Sequence, residues 1–84
     1  DLPKQVAETM ENLAELIANA ANQSTEPLAR LHSFRVYRSI QIGEGRVESS
    51  FRPFLPANLK IEHCPATLCR PELMVEVEGT ARLT

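Results

Sequence analysis

The sequence predicts an α+β domain in which one N-terminal amphipathic helix packs on a three- to four-stranded antiparallel sheet. Three observations lead there. Apolar residues recur at helical spacing from Val6 to Ala21, and from His32 onward the period changes to two. The length of 84 residues confines both patterns to a single domain, 1–84, with one core.

The helix is expected over about 3–22. Val6, Met10, Leu13, Ile17 and Ala20 or Ala21 form one stripe, widened by Ala14 and Leu16, while Lys4, Glu8, Glu11 and Glu15 fall on another face. Asp1 is placed to cap the first turn, and Pro3 is tolerated there because that turn has no internal acceptor to lose. The helix ends in Ala18-Asn19-Ala20-Ala21, whose small side chains permit close approach of a sheet or a second helix. Ala18 and Ala21 are therefore candidate interface residues.

A linker over 23–31 follows, with turn chemistry in Ser24-Thr25-Glu26-Pro27 and a short helical turn up to Leu31. Residues of about 32–55 read as a hairpin. Phe34, Val36, Ile40 and Ile42 share one side of its first strand. Gly43-Glu44-Gly45 supplies the turn, and Val47, Phe51 and Leu55 point inward on the return, with Pro53 near an edge. Residues 56–71 read as an irregular loop with a short strand around Leu59 and Ile61. Pro56, Pro65 and Pro71 bracket Cys64 and Cys69. The last strand, about 72–83, sets Leu73, Val75, Val77, Ala81 and Leu83 against Glu72, Glu76, Glu78, Thr80 and Arg82.

Charge is unevenly spread. Residues 1–29 carry a net −4, residues 30–60 a net +4 and residues 61–84 a net −2, giving −2 overall. A basic middle between acidic ends reads as segments that neutralise one another in one fold. A pI of 5.6 also lies far below the values above about 9 typical of nucleic-acid binders. No apolar run approaches the roughly 18 residues needed to span a bilayer, and no secretory signal pattern is present. The chain opens at Asp1, so a processed mature form or an excised domain is expected, of unspecified compartment.

Few residues are placed for chemistry. His63, Cys64 and Cys69 are the densest group, but adjacent His63 and Cys64 do not readily converge on one ion, so no metal and no cofactor are expected. Cys64 and Cys69 fit a small structural disulfide or two reduced thiols. Gly43-Glu44-Gly45, read as a hairpin turn without a following helix or Lys, fails as a phosphate loop, and no Gly-x-Ser-x-Gly occurs. Catalysis is not expected.

Two binding surfaces remain. Arg38 shares parity with the inward residues and would need a carboxylate or an anion if buried. Arg35, Tyr37, Arg46 and Arg52 share the outward face, where Arg interleaved with an aromatic could bind a ligand or stack single-stranded nucleic acid. The glutamates of the last strand fall on that same face and would repel phosphates and pair with the arginines. The favoured expectation is a non-enzymatic interaction or assembly module with a protein partner or a second copy. Contact would run through an edge formed by Leu73, Val75, Val77 and Ala81, or through Ala18 and Ala21. The alternative is a ligand or nucleic-acid binder using Arg35, Tyr37, Arg38 and Arg52.

Overall fold

Asp1 starts the first helix, α1 (Leu2–Ala20), by accepting the Lys4 N–H at 2.8 Å in the computed structural model, which describes residues 1–21, 25–68 and 72–83. After a 3-10 turn at Pro27–Arg30 come β1 (Leu31–Ser39), α2 (Glu44–Phe51), a second 3-10 turn at Arg52–Phe54, β2 (Ile61–Ala66) and β3 (Val75–Ala81). No helix of the described residues is long and apolar enough to cross a membrane.

The strands form one three-stranded sheet in the order β2-β1-β3. β1 runs parallel to β2, with Phe34 level with Ile61, and antiparallel to β3, with Val36 level with Val77. The architecture is α+β as expected, but the sheet is mixed rather than antiparallel, and no fourth strand occurs among the described residues. The difference traces to residues 44–51. Val47, Phe51 and Leu55 lie four apart, a spacing that fits both an inward strand face and a helix stripe. The positions that separate the two are Ser49 and Pro53, where a strand would want apolar side chains and where the chain has a hydroxyl and an imino acid. The expected return strand is therefore α2. A helix here carries the chain across the sheet face, so β2 returns parallel to β1.

Two smaller differences follow. Ile40, expected inward, lies past the end of β1 and is 74% exposed. Cys64 and Pro65, expected in a loop, belong to β2, an edge strand that tolerates a proline.

One core lies on one face of the sheet. Leu2, Val6, Met10 and Ile17 of α1 and Val47 and Phe51 of α2 meet Phe34, Val36, Ile61 and Val75 of the strands. The Phe34 and Phe51 rings meet edge to face, with centroids 5.5 Å apart. On α1 the buried stripe begins at Leu2, four residues before Val6, whereas Leu16 is exposed. Gln5 ties α1 to the start of β3: its Nε2 donates to the Glu72 carbonyl at 2.9 Å, and its Oε1 accepts the Met74 N–H at 2.8 Å.

Near the other end of β3, Gly79 sits level with Phe34 where a register shift falls between Leu31 and Ser33. A Cβ there would stand 2.5 Å from the Ser33 carbonyl oxygen, a backbone atom that cannot swing away. Gly79→Ala is expected to cost about 1–3 kcal/mol, read as a lower urea midpoint. An unchanged midpoint would show that the strands separate there without penalty.

Candidate functional site

Among the described residues the sheet has two open edges, and they differ. β2 carries Pro65, which has no N–H to offer. β3 has seven residues, no proline, and β1 as its one strand neighbour among the described residues. Ser39 N–H donates to the Met74 carbonyl at 2.9 Å, which fixes the alternation of the antiparallel ladder. Glu76 and Glu78 are therefore the residues that exchange hydrogen bonds with Tyr37 and Arg35. The N–H and C=O groups of Val75, Val77 and Gly79 turn the other way, toward the open edge.

Of the expected interface residues, Leu73 is half-buried and precedes β3, Val75 is buried in the core, and Val77 and Ala81 pack partly buried against that core. The side chains of Val75, Val77 and Ala81 serve the core, so the open edge is a backbone feature. Ala18 and Ala21 are also half-buried, beside Ile17, while Ala20 is exposed.

The outward sheet face is polar and cross-linked. Arg35 Nη1 donates to Glu78 Oε1 at 3.1 Å and Nη2 to Glu62 Oε2 at 3.1 Å, so one guanidinium bridges both neighbouring strands. Tyr37 Oη donates to the same Glu78 oxygen at 2.6 Å. Tyr37 and then Glu62 hold the Arg35 pKa above its ordinary value, so its charge is permanent. A shallow groove of about 290 Å³ lies beside this network, lined in part by Ser33, Arg35, Glu78 and Thr80. The ion pairs are half-exposed and screened by solvent, so they add little stability, but they occupy the arginine.

The remaining arginines lie elsewhere. Arg52 is on the helix side, where its Nη2 donates to Glu48 Oε2 at 2.6 Å and its Nη1 to the Leu59 carbonyl at 2.7 Å. Arg46 is on α2. The structure thus does not bring Arg35 and Tyr37 together with Arg46 and Arg52. Arg38 does point to the helix side, but it is half-buried and meets a carbonyl rather than a carboxylate: its Nη1 donates to Ile42 O at 2.8 Å and closes the turn into α2. Gly43 and Gly45, expected in a hairpin turn, instead stand at the start of this helix, where a Cβ on either would meet nothing within 4 Å.

The spacing of α2 brings together one cluster that the strand reading missed. Glu48 lies four residues before Arg52, and its Oε1 accepts from His63 Nε2 of β2 at 2.7 Å. The carboxylate only accepts, so the shared proton sits on Nε2. The other ring nitrogen, Nδ1, is buried without a hydrogen-bond partner, and the side chain is 8% exposed. In a His–carboxylate pair built for proton transfer, that second nitrogen faces the substrate. Here it is covered, and the cluster clamps α2 to β2.

His63 and then Arg52 hold the Glu48 carboxyl below its ordinary range, outweighing the opposing effect of burial. A depressed folded pKa stabilises fully above the ordinary value of 4.5 and loses that stabilisation as pH falls through the lowered one. The urea midpoint of wild type should therefore exceed that of Glu48→Gln at neutral pH, and the gap should close in acid. A gap constant from neutral to acid pH would show that the carboxylate charge does not hold the clamp.

Cys64 is half-buried in β2, with its Cα level with Tyr37, and the expected pairing with Cys69 falls outside the described residues. Among the described residues, no three His, Cys, Asp or Glu side chains converge on one point. An apolar groove of about 480 Å³ opens between the two 3-10 turns, with Pro27, Leu28, Pro53 and the 38% exposed Phe54 in its walls. Comparisons with protein-family models, curated proteins and solved structures gave no match, so the site is defined by the geometry of its own residues.

Proposed function

We propose that the chain is a non-enzymatic protein-interaction module that takes an extended segment onto the edge of β3 and so docks into a larger assembly. The observation that carries this reading is the row of outward-turned backbone groups at Val75, Val77 and Gly79 on a strand with a single strand neighbour among the described residues. Each such group is a donor or acceptor that an incoming strand satisfies by adding to the sheet. The Ala18 and Ala21 face has less support, because both residues are already half-buried and the neighbouring Ala20 is exposed. The ligand-binding alternative has less as well, since Glu62 and Glu78 hold Arg35 while Arg52 lies on the helix side.

Selection of short random peptides against the immobilised chain, followed by hydrogen exchange on the complex, tests the reading. Binders should slow exchange at the amides of Val75, Val77 and Gly79. Failure to select any binder, or protection confined to the Arg35–Tyr37 face, would overturn it.

A further inference from the structure

We infer that the segment accepted by β3 comes from a different chain and carries basic side chains at alternate positions, rather than being the β3 of a second copy. The inference rests on β3 being the docking edge. β3 reads Val75-Glu76-Val77-Glu78-Gly79-Thr80-Ala81 and contains no basic residue. Glu76 and Glu78 stand on the outward face, where the next strand's side chains lie roughly 4.5–5.5 Å from theirs. Glu78 is partly neutralised by Arg35, whereas Glu76 is level with Tyr37 and has no ion pair among the described residues.

This pattern disfavours self-pairing on simple geometric grounds. Two copies related by a two-fold axis pair their β3 strands antiparallel, through the outward backbone groups of Val75, Val77 and Gly79. With the axis at Val77, Glu76 faces Glu78 of the second copy. With the axis at Glu76 or at Glu78, that glutamate faces itself. Like charges directly opposite destabilise a sheet. Moving the axis to Gly79 sets Arg82 against Glu76, but it relies on the end of the strand where the register with β1 shifts.

A foreign strand with Lys or Arg at every second position meets the same two carboxylates with opposite charge. Its intervening residues would face the helix side, where Met74, Val77 and Ala81 are apolar and only partly buried, so apolar side chains suit those positions. Gln5 already occupies the backbone of Glu72 and Met74, which places the start of the docking register at Val75.

Three short peptides of one length test this: alternating Lys and Val, Thr and Val, and Glu and Val. Binding is followed by fluorescence anisotropy at low and high salt, the contact by hydrogen exchange, and the mass of the free chain by light scattering. The Lys peptide should bind roughly tenfold tighter than the Thr peptide, weaken with salt, and protect Val75, Val77 and Gly79. Glu76→Lys should reverse the order of the Lys and Glu peptides, and the milder Glu76→Gln should narrow it. Equal binding of all three with protection on β3 would sink the charge inference and leave the edge reading standing. A mass that doubles with concentration, with β3 protected in the dimer, would also sink it in favour of a second copy. If no peptide protects β3, the edge reading falls and the inference goes with it.

Discussion

Phe51→Ala should cost about 3–5 kcal/mol, which leaves a chain of this size largely unfolded at physiological temperature. Phe51 is fully buried and ends α2, and its ring meets the Phe34 ring edge to face at 5.5 Å. Truncation leaves a cavity between the helix and the central strand, a place where neither element can collapse without breaking other contacts. Loss of the far-ultraviolet helical signal and a urea midpoint moved toward zero are the expected readings. Phe54, three residues later and 38% exposed, provides the control: Phe54→Ala should cost under about 1 kcal/mol. Equal effects at the two positions would contradict the packing of α2 against β1.

A second pair of substitutions separates the two sides of the β3 backbone. Glu76→Pro removes an N–H that points at β1 and bares the Tyr37 carbonyl, so it should cost at least about 1–3 kcal/mol before any clash of the ring is counted. Val77→Pro removes an N–H that points away from β1, where an edge strand tolerates proline. It forfeits part of the valine packing, about 1 kcal/mol, and keeps the ladder. Urea unfolding should therefore rank Glu76→Pro well below Val77→Pro, and Val77→Pro should stay folded yet bind no extended peptide. If both unfold alike, the outward groups of β3 are engaged inside the fold and the edge reading is wrong.

Much of this architecture is legible from periodicity alone. The stripe of α1 and the alternation of β1 and β3 each rest on several residues that agree with one period and conflict with the other, and the Asp1 cap rests on local side-chain chemistry. α2 is not legible in that way, because Val47, Phe51 and Leu55 satisfy two periods at once. The discriminating signals were Ser49, Pro53 and the Glu48–Arg52 spacing, and all three favour a helix. Misreading that segment hides the Glu48–His63–Arg52 clamp entirely, since the clamp depends on helical spacing and on a parallel neighbour fifteen residues from Glu48. It also hides the strand order, because a hairpin would have set the return strand, and not β2, beside β1. The pairing of Arg35 with glutamates is legible as chemistry, although Glu62, the partner on β2, could be found only once β2 was known to lie beside β1.

The order β2-β1-β3 has a consequence for how the chain is made. Synthesis delivers α1 and β1 first, and both strands that flank β1 come later in the sequence. Until residues 61–66 emerge, the central strand has neither neighbour, and until residues 75–81 emerge one of its sides stays bare. The contacts that stabilise β1 span long stretches of chain, so the loop-closure entropy is paid before any pairing can return it. A nascent or truncated chain that stops before β3 thus presents one whole side of Leu31-His32-Ser33-Phe34-Arg35-Val36-Tyr37 as an open backbone edge, in the segment whose burial completes the fold.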